Sequence, residues 1–172
     1  MLIAMAGLPG TGKTTLAYRL AEAMAGVVLS KDLVRATLFP PQVLDYSTEQ
    51  DDLTMRAIYA AASSIHRSRP RCPVLIDGRT FSRAYQMRDF LQAASEAGGE
   101  WRVIECICAD GIAQARLARD AATGNHPAGN RTPELYLRAK ARAEPLTIPR
   151  LVLDTGNTTL AECLARSIAY LQ

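Results

Sequence analysis

The sequence predicts an α/β fold built on a parallel sheet, and three observations predict it. Five apolar runs have the length of buried strands, at residues 2–6, 27–29, 74–76, 101–108 and 151–153. Helical patterns lie between them, at 14–25, 32–38, 48–68, 83–96, 111–121 and 133–144, with 160–170 closing the chain. A glycine-rich turn joins the first strand directly to the first helix. Strands that alternate with helices make a parallel sheet covered on both faces. At 172 residues the chain is expected to form one domain, spanning 1–172.

Taken in order, the first run is LIAMA, followed by GLPGTGKT and then helix formers. The second run, VVL, passes into SKDLVRATLF, a short helix. The third ends in VLIDGRTF, with Asp77 at the strand's end. Gly98-Gly99 closes the helix before the fourth strand. Thr132 followed by Pro133 is an N-cap with proline at the first helical position, and Thr159-Leu-Ala-Glu162 fits a capping box. Two polar, weakly periodic stretches, 39–47 and 122–131, sit where mobile segments close over ligands in nucleotide-binding α/β folds. The second gives an expected lid at about 122–132.

Composition excludes several classes. Hydrophobic residues make up 48% and charged residues 22%, which argues against wholesale disorder. A net charge of +3 is too small to argue for nucleic acid. Of the 20 basic residues only Lys13, Lys31 and Lys140 are lysines. Arginine suits phosphate recognition, although a GC-rich genome explains the same bias. Four cysteines and two histidines show neither disulfide nor zinc spacing, and the expectation is buried, reduced thiols in a cytoplasmic protein. No apolar stretch approaches a membrane span, and the N-terminal run, which lacks a basic flank and a cleavage site, is already used as a strand.

The turn carries the strongest signal. Gly7, four residues, Gly12, Lys13 and Thr14 form a phosphate-binding P-loop pattern in its required strand–turn–helix context. Gly7, Leu8, Pro9, Gly10, Thr11, Gly12, Lys13, Thr14 and Thr15 would wrap an anion with backbone N–H groups at the positive end of the helix. Lys13, expected to pack against nothing, would reach the β- and γ-phosphates, and the Thr14 hydroxyl would ligate Mg²⁺. An acid at a neighbouring strand end would hold Mg²⁺ through its water shell. Asp77, Asp110 and Asp154 all fit, and Asp77 is favoured because its strand can lie beside the first. Asp32 and Arg35, three apart, share a helix face near the ligand edge of the sheet. Asp32 could deprotonate an acceptor hydroxyl and Arg35 hold an anionic group, unless the two are merely a surface pair at a helix start. Arg116 and Arg119 repeat the spacing before the Gly/Asn/Pro-rich stretch that contains Arg131, which suits a lid or a solvated helix face.

With these residues collected, the sequence resembles the P-loop kinases of the AAA-domain, zeta-toxin and polynucleotide-kinase type. The similarity runs through GLPGTGKTT, VVLSKDLVRATLF, YSTEQ, VLIDGRTF, RLARD, RTPELY, AEPL and VLDTGN. It implies a three-layer P-loop NTPase fold with a five-stranded parallel sheet in the order 2-3-1-4-5 and a short lid. It implies ATP and Mg²⁺, with transfer of the γ-phosphate to a hydroxyl. Asp32 matches the family's substrate-binding or general-base aspartate and Arg35 the arginine near it. Arg116 and Arg119 match the lid arginines, and Gly156-Asn157 would lie near the adenine. Relatives often read Asp-Ala-Thr where this chain has Asp77-Gly78-Arg79-Thr80, so Arg79 either adds a phosphate or substrate contact or occupies surface. The leading expectation is a kinase for a small hydroxylated molecule. A 5′-polynucleotide kinase is disfavoured by an aromatic content of 6% with one tryptophan, since single strands call for stacking platforms. A nucleotide-dependent regulatory ATPase without an acceptor is disfavoured by the Asp32 segment.

Overall fold

In the computed structural model, which describes residues 1–123 and 132–172, the apolar run LIAMA becomes β1 (Leu2–Ala6), buried at every position. It is central because it is apolar on both faces. Around it stand β2 (Val27–Ser30), β3 (Val74–Asp77), β4 (Trp101–Ile107) and β5 (Leu151–Asp154), all parallel, in the order β2-β3-β1-β4-β5. The expected 2-3-1-4-5 sheet is therefore present. Leu2 pairs with Val74 on one side and Trp101 on the other.

The period of two along β1 divides the core. Leu2, Ala4 and Ala6 face α3 (Thr48–Ser68) and α4 (Ala84–Glu96), whose Met55, Ile58, Met87 and Phe90 fill that layer. Ile3 and Met5 face α1 (Lys13–Ala23) and α7 (Leu160–Leu171), meeting Leu16, Leu20, Cys163 and Leu171. Two helical layers on one sheet give the three-layer architecture. A smaller cluster of Ala113, Leu117 and Tyr136 joins α5 (Asp110–Thr123) to α6 (Pro133–Ala141) above Leu8. Among the described residues no helix is long and apolar enough to cross a membrane.

Element ends differ from expectation for physical reasons. The second strand extends to Ser30 and turns at once into α2 (Lys31–Leu38), so Lys31 and Asp32 start a helix at the sheet edge. The sixth helix stops at Ala141 rather than at 144. Glu144 instead turns back to α4, accepting from the Ala84 backbone N–H at 2.6 Å and from Arg83 Nε at 3.1 Å. Thr132 accepts from Leu135 N, and both halves of the Thr159–Glu162 capping box are made. Only Cys106 and Cys163 are buried; Cys72 and Cys108 are partly exposed, so the expectation of four buried thiols holds for two. All four are free.

Candidate active site

The loop between β1 and α1 is shaped by close approach. A Cβ at Gly7 would lie 2.2 Å from the Cys106 carbonyl oxygen, and one at Gly10 would lie 2.5 Å from that of Ala113. Both residues also have positive φ, 127° and 79°. Glycine there lets the loop sit against β4 and α5 as well as turn. Thr11 Oγ1 donates to the Leu8 carbonyl at 2.8 Å, and Lys13 Nζ donates to the same carbonyl at 2.7 Å. Lys13 is 8% exposed, which corrects the expectation that it packs against nothing: its stem lies in the wall and its ammonium arches over the loop.

The loop opens on a cavity of about 580 Å³ reached by Gly12, Lys13, Thr14 and Thr15. Lys31, Asp32 and Arg35 of α2, which follows the strand two places from β1 in the sheet, also line it, as do Gly78, Arg79 and Thr80 after β3. Arg116 and Arg119 of α5 complete it above the loop. Arg116 donates to Thr155 Oγ1 at 3.0 Å, to the Thr155 carbonyl at 2.9 Å and to the Gly10 carbonyl at 3.4 Å. Thr155 Oγ1 donates in turn to the Thr11 carbonyl at 2.8 Å. Arg116 thus ties the loop to the end of β5, a link that spans more than a hundred residues of sequence. Arg119 is exposed on the same helix. Gly156 and Asn157 flank this junction outside the cavity, with their backbone amides on Asp154. Of the expected lid, Ala122 and Thr123 belong to α5 and Thr132 caps α6, while 124–131, including Arg131, lie outside the described residues.

The three acids weighed for the metal differ in what they hold. Asp110 accepts from Tyr136 Oη at 2.7 Å and from Lys140 Nζ. Those two bonds, Lys140 first, keep its carboxyl below the usual range. Asp154 accepts from Asn157 Nδ2 at 2.7 Å and from Gly156 N at 2.9 Å, which lowers it likewise. Both are fastening loops. Asp77 is 1% exposed at the end of β3, and its Oδ1 has no partner among the described residues. Asp77 does not itself line the cavity, but it ends the strand that pairs with β1. An orphaned buried carboxylate oxygen there, with the Thr14 hydroxyl on the cavity side, is a donor set that fits a hydrated Mg²⁺.

The wall formed by α2, the start of α3 and the segment after β3 contains residues that the sequence did not single out. Asp51, in the first turn of α3, accepts from Lys31 Nζ at 2.9 Å and from Arg35 Nη1. Arg35 Nη2 donates to Asp32 Oδ1 at 2.8 Å, and the Tyr46 ring lies 4.6 Å from the guanidinium carbon. Arg35 is 4% exposed, so Asp32 and Arg35 are a pair in the cavity wall rather than on the surface. Asp52 accepts from Arg79 Nη2 at 2.6 Å, and Tyr85 Oη accepts from the same nitrogen at 3.2 Å. Arg79 is 2% exposed, which removes the expectation that it occupies surface. Burial opposes its charge, but the bond to Asp52 and the neighbouring Tyr59 and Tyr85 outweigh that and raise its pKa. Next to it the Thr80 carbonyl accepts from Gly7 N at 2.9 Å, coupling this wall to the P-loop. No residue spacing announces Asp51 or Asp52; the one available signal, acid in the first turn of a helix, covers Asp51 but not Asp52.

Comparison with known proteins follows the same lines. A family model described as an AAA domain matches residues 2–146. A candidate kinase of Chloroflexus aurantiacus has a similar structure, with 23% identity, a TM-score of 0.78 and coverage of 99% of this chain and 98% of that one. The Mycobacterium tuberculosis APS kinase CysC, solved with AMPPNP and APS, is 17% identical with a TM-score of 0.74, over 99% of this chain and 96% of that one. A gluconokinase from Sinorhizobium meliloti 1021 is 18% identical with a TM-score of 0.67, over 99% and 94%. No curated protein matches the chain in sequence. At these identities the likeness is one of fold.

Proposed function

The chain belongs to the AAA domain family, and on that premise we propose that it is an ATP-dependent kinase that transfers the γ-phosphate to a hydroxyl of a small molecule. One observation carries this reading: a single cavity is lined both by a P-loop and by the Asp32–Arg35–Asp51 cluster. A loop that only bound nucleotide would need no such second wall.

In this reading the backbone N–H groups of 7–14 and Lys13 cradle the phosphates, and Arg116 braces the loop from α5. Thr14 and Asp77 fit Mg²⁺, which when bound would draw charge from the phosphate oxygens. The acceptor oxygen forms a bond to the γ-phosphorus as the bond to the bridging oxygen of ADP breaks and its electron pair leaves with ADP. The hydroxyl proton passes to Asp32 and from there to water. Arg35 fixes the Asp32 carboxylate, and Asp51 fixes Arg35.

The test is incubation with γ-labelled ATP and a set of nucleosides, sugars, antibiotics and a 5′-hydroxyl oligonucleotide. Label moving to a small-molecule hydroxyl supports the reading. Label on the oligonucleotide alone would make the protein a polynucleotide kinase, and label only in inorganic phosphate would make it an ATPase.

A further inference from the structure

The two halves of the cavity differ in how they treat charge. On the P-loop side Arg116 donates to carbonyl and threonine oxygens and, among the described residues, forms no ion pair. On the acceptor side each cation that lines the cavity, among the described residues, is met by a carboxylate. Lys31 meets Asp51, Arg35 meets Asp32 and Asp51, and Arg79 meets Asp52. Three cations therefore face three carboxylates, and all three cations are less than a tenth exposed. An anionic ligand would have to displace one of these acids from a cation that is itself less than a tenth exposed, and leave the partly exposed carboxylate facing the new negative charge. The rest of this wall is uncharged and polar: Thr80 and Gln86 line it, with Thr80 Oγ1 between Ser82 Oγ and Gln86 Oε1.

We infer that the acceptor is an uncharged, polyhydroxylated molecule, and that Asp51 and Asp52 set this preference by cancelling Lys31, Arg35 and Arg79. The inference rests on the kinase reading above for the word acceptor, but the charge preference of the wall can be tested without turnover. Hydroxyl groups suit such a surface, because each can donate to a carboxylate lone pair and accept from a guanidinium without breaking the pair. Asp51 and Asp52 are positioning residues here, acting through the cations they hold.

Two measurements decide it. In the first, transfer from γ-labelled ATP is compared within matched pairs, a nucleoside against its 5′-monophosphate and an aldose against the corresponding aldonate. The neutral member should have a kcat/KM at least about tenfold higher in every pair that reacts; preference for the charged member overturns the inference. In the second, the P-loop is filled with a non-hydrolysable ATP analogue and sulfate is titrated by thermal shift into wild type, Asp51→Asn and Asp52→Asn. Wild type should show no saturable shift, and at least one variant should gain one, since a freed arginine or lysine becomes an anion site. Saturable sulfate binding by wild type, unchanged in both variants, overturns the inference. If no compound of either charge accepts label, the kinase reading fails, and the sulfate titration still decides how the wall treats charge.

Discussion

In the proposed reaction Lys13, Asp32 and Asp77 have separate tasks, and substituting each should fail differently. Lys13→Ala should abolish transfer. Because Lys13 Nζ also holds the Leu8 carbonyl, it should lower the melting temperature too, by an amount consistent with one lost hydrogen bond, about 1 kcal/mol. A variant that melts as wild type does would mean that the bond to Leu8 contributes nothing. Asp32→Asn retains size and polarity but removes the proton acceptor, so kcat should fall ~10²–10⁴-fold while ATP affinity holds. A kcat within a few-fold of wild type would reduce Asp32 to a prop for Arg35. Asp77→Asn should cut turnover roughly 10–100-fold and raise the Mg²⁺ concentration needed, as loss of an outer-sphere partner does. Asp110→Asn should leave the Mg²⁺ requirement unchanged, since that carboxylate is already engaged by Tyr136 and Lys140. Measured Mg²⁺ dependence of both variants separates the two acids.

At the scale of elements, α4 is held at its start by a residue sixty positions away. The Ala84 N–H, followed by Arg83, keeps the Glu144 carboxyl below its ordinary value. A depressed folded pKa contributes stability above the unfolded value and loses it as pH falls through the folded one. Glu144→Ala should therefore unfold at lower denaturant than wild type near neutral pH, and the gap should close in acid. Denaturant titrations across pH check this; a gap that is constant with pH would contradict it. The same contact shows why part of the molecule was illegible in sequence. LIAMA, the P-loop, the Thr132 N-cap and the Thr159–Glu162 capping box are local patterns, and each stands where its chemistry requires. The end of α6 was overrun because Glu144 leaves the helix to serve α4, a long-range bond that no helical periodicity encodes. Asp51 and Asp52 escaped notice for a related reason. As sequence they are acids at or just past a first helical turn, near Glu49, and only the packing of α2 and the β3–α4 segment against α3 brings Lys31, Arg35 and Arg79 to them. Arg79 was visible as a departure from the related pattern, but its burial was not.

For the whole molecule, the parallel sheet brings the ends of β1, β2 and β3 to one edge, and the cavity occupies that edge. Binding there joins the P-loop, α5 and the end of β5, so Mg²⁺·ATP should raise the melting temperature by mass action. No shift at millimolar ATP would contradict the reading of Gly7 to Thr14 as a P-loop. The central claim is that this edge delivers a phosphate to an acceptor and keeps water out of the exchange. Its most direct test is the partition of label from γ-labelled ATP in the presence of a saturating neutral polyol or nucleoside that serves as acceptor. Labelled acceptor should accumulate in step with ADP, and Lys13→Ala should abolish both. Label that appears as inorganic phosphate at the same rate with or without acceptor would contradict it.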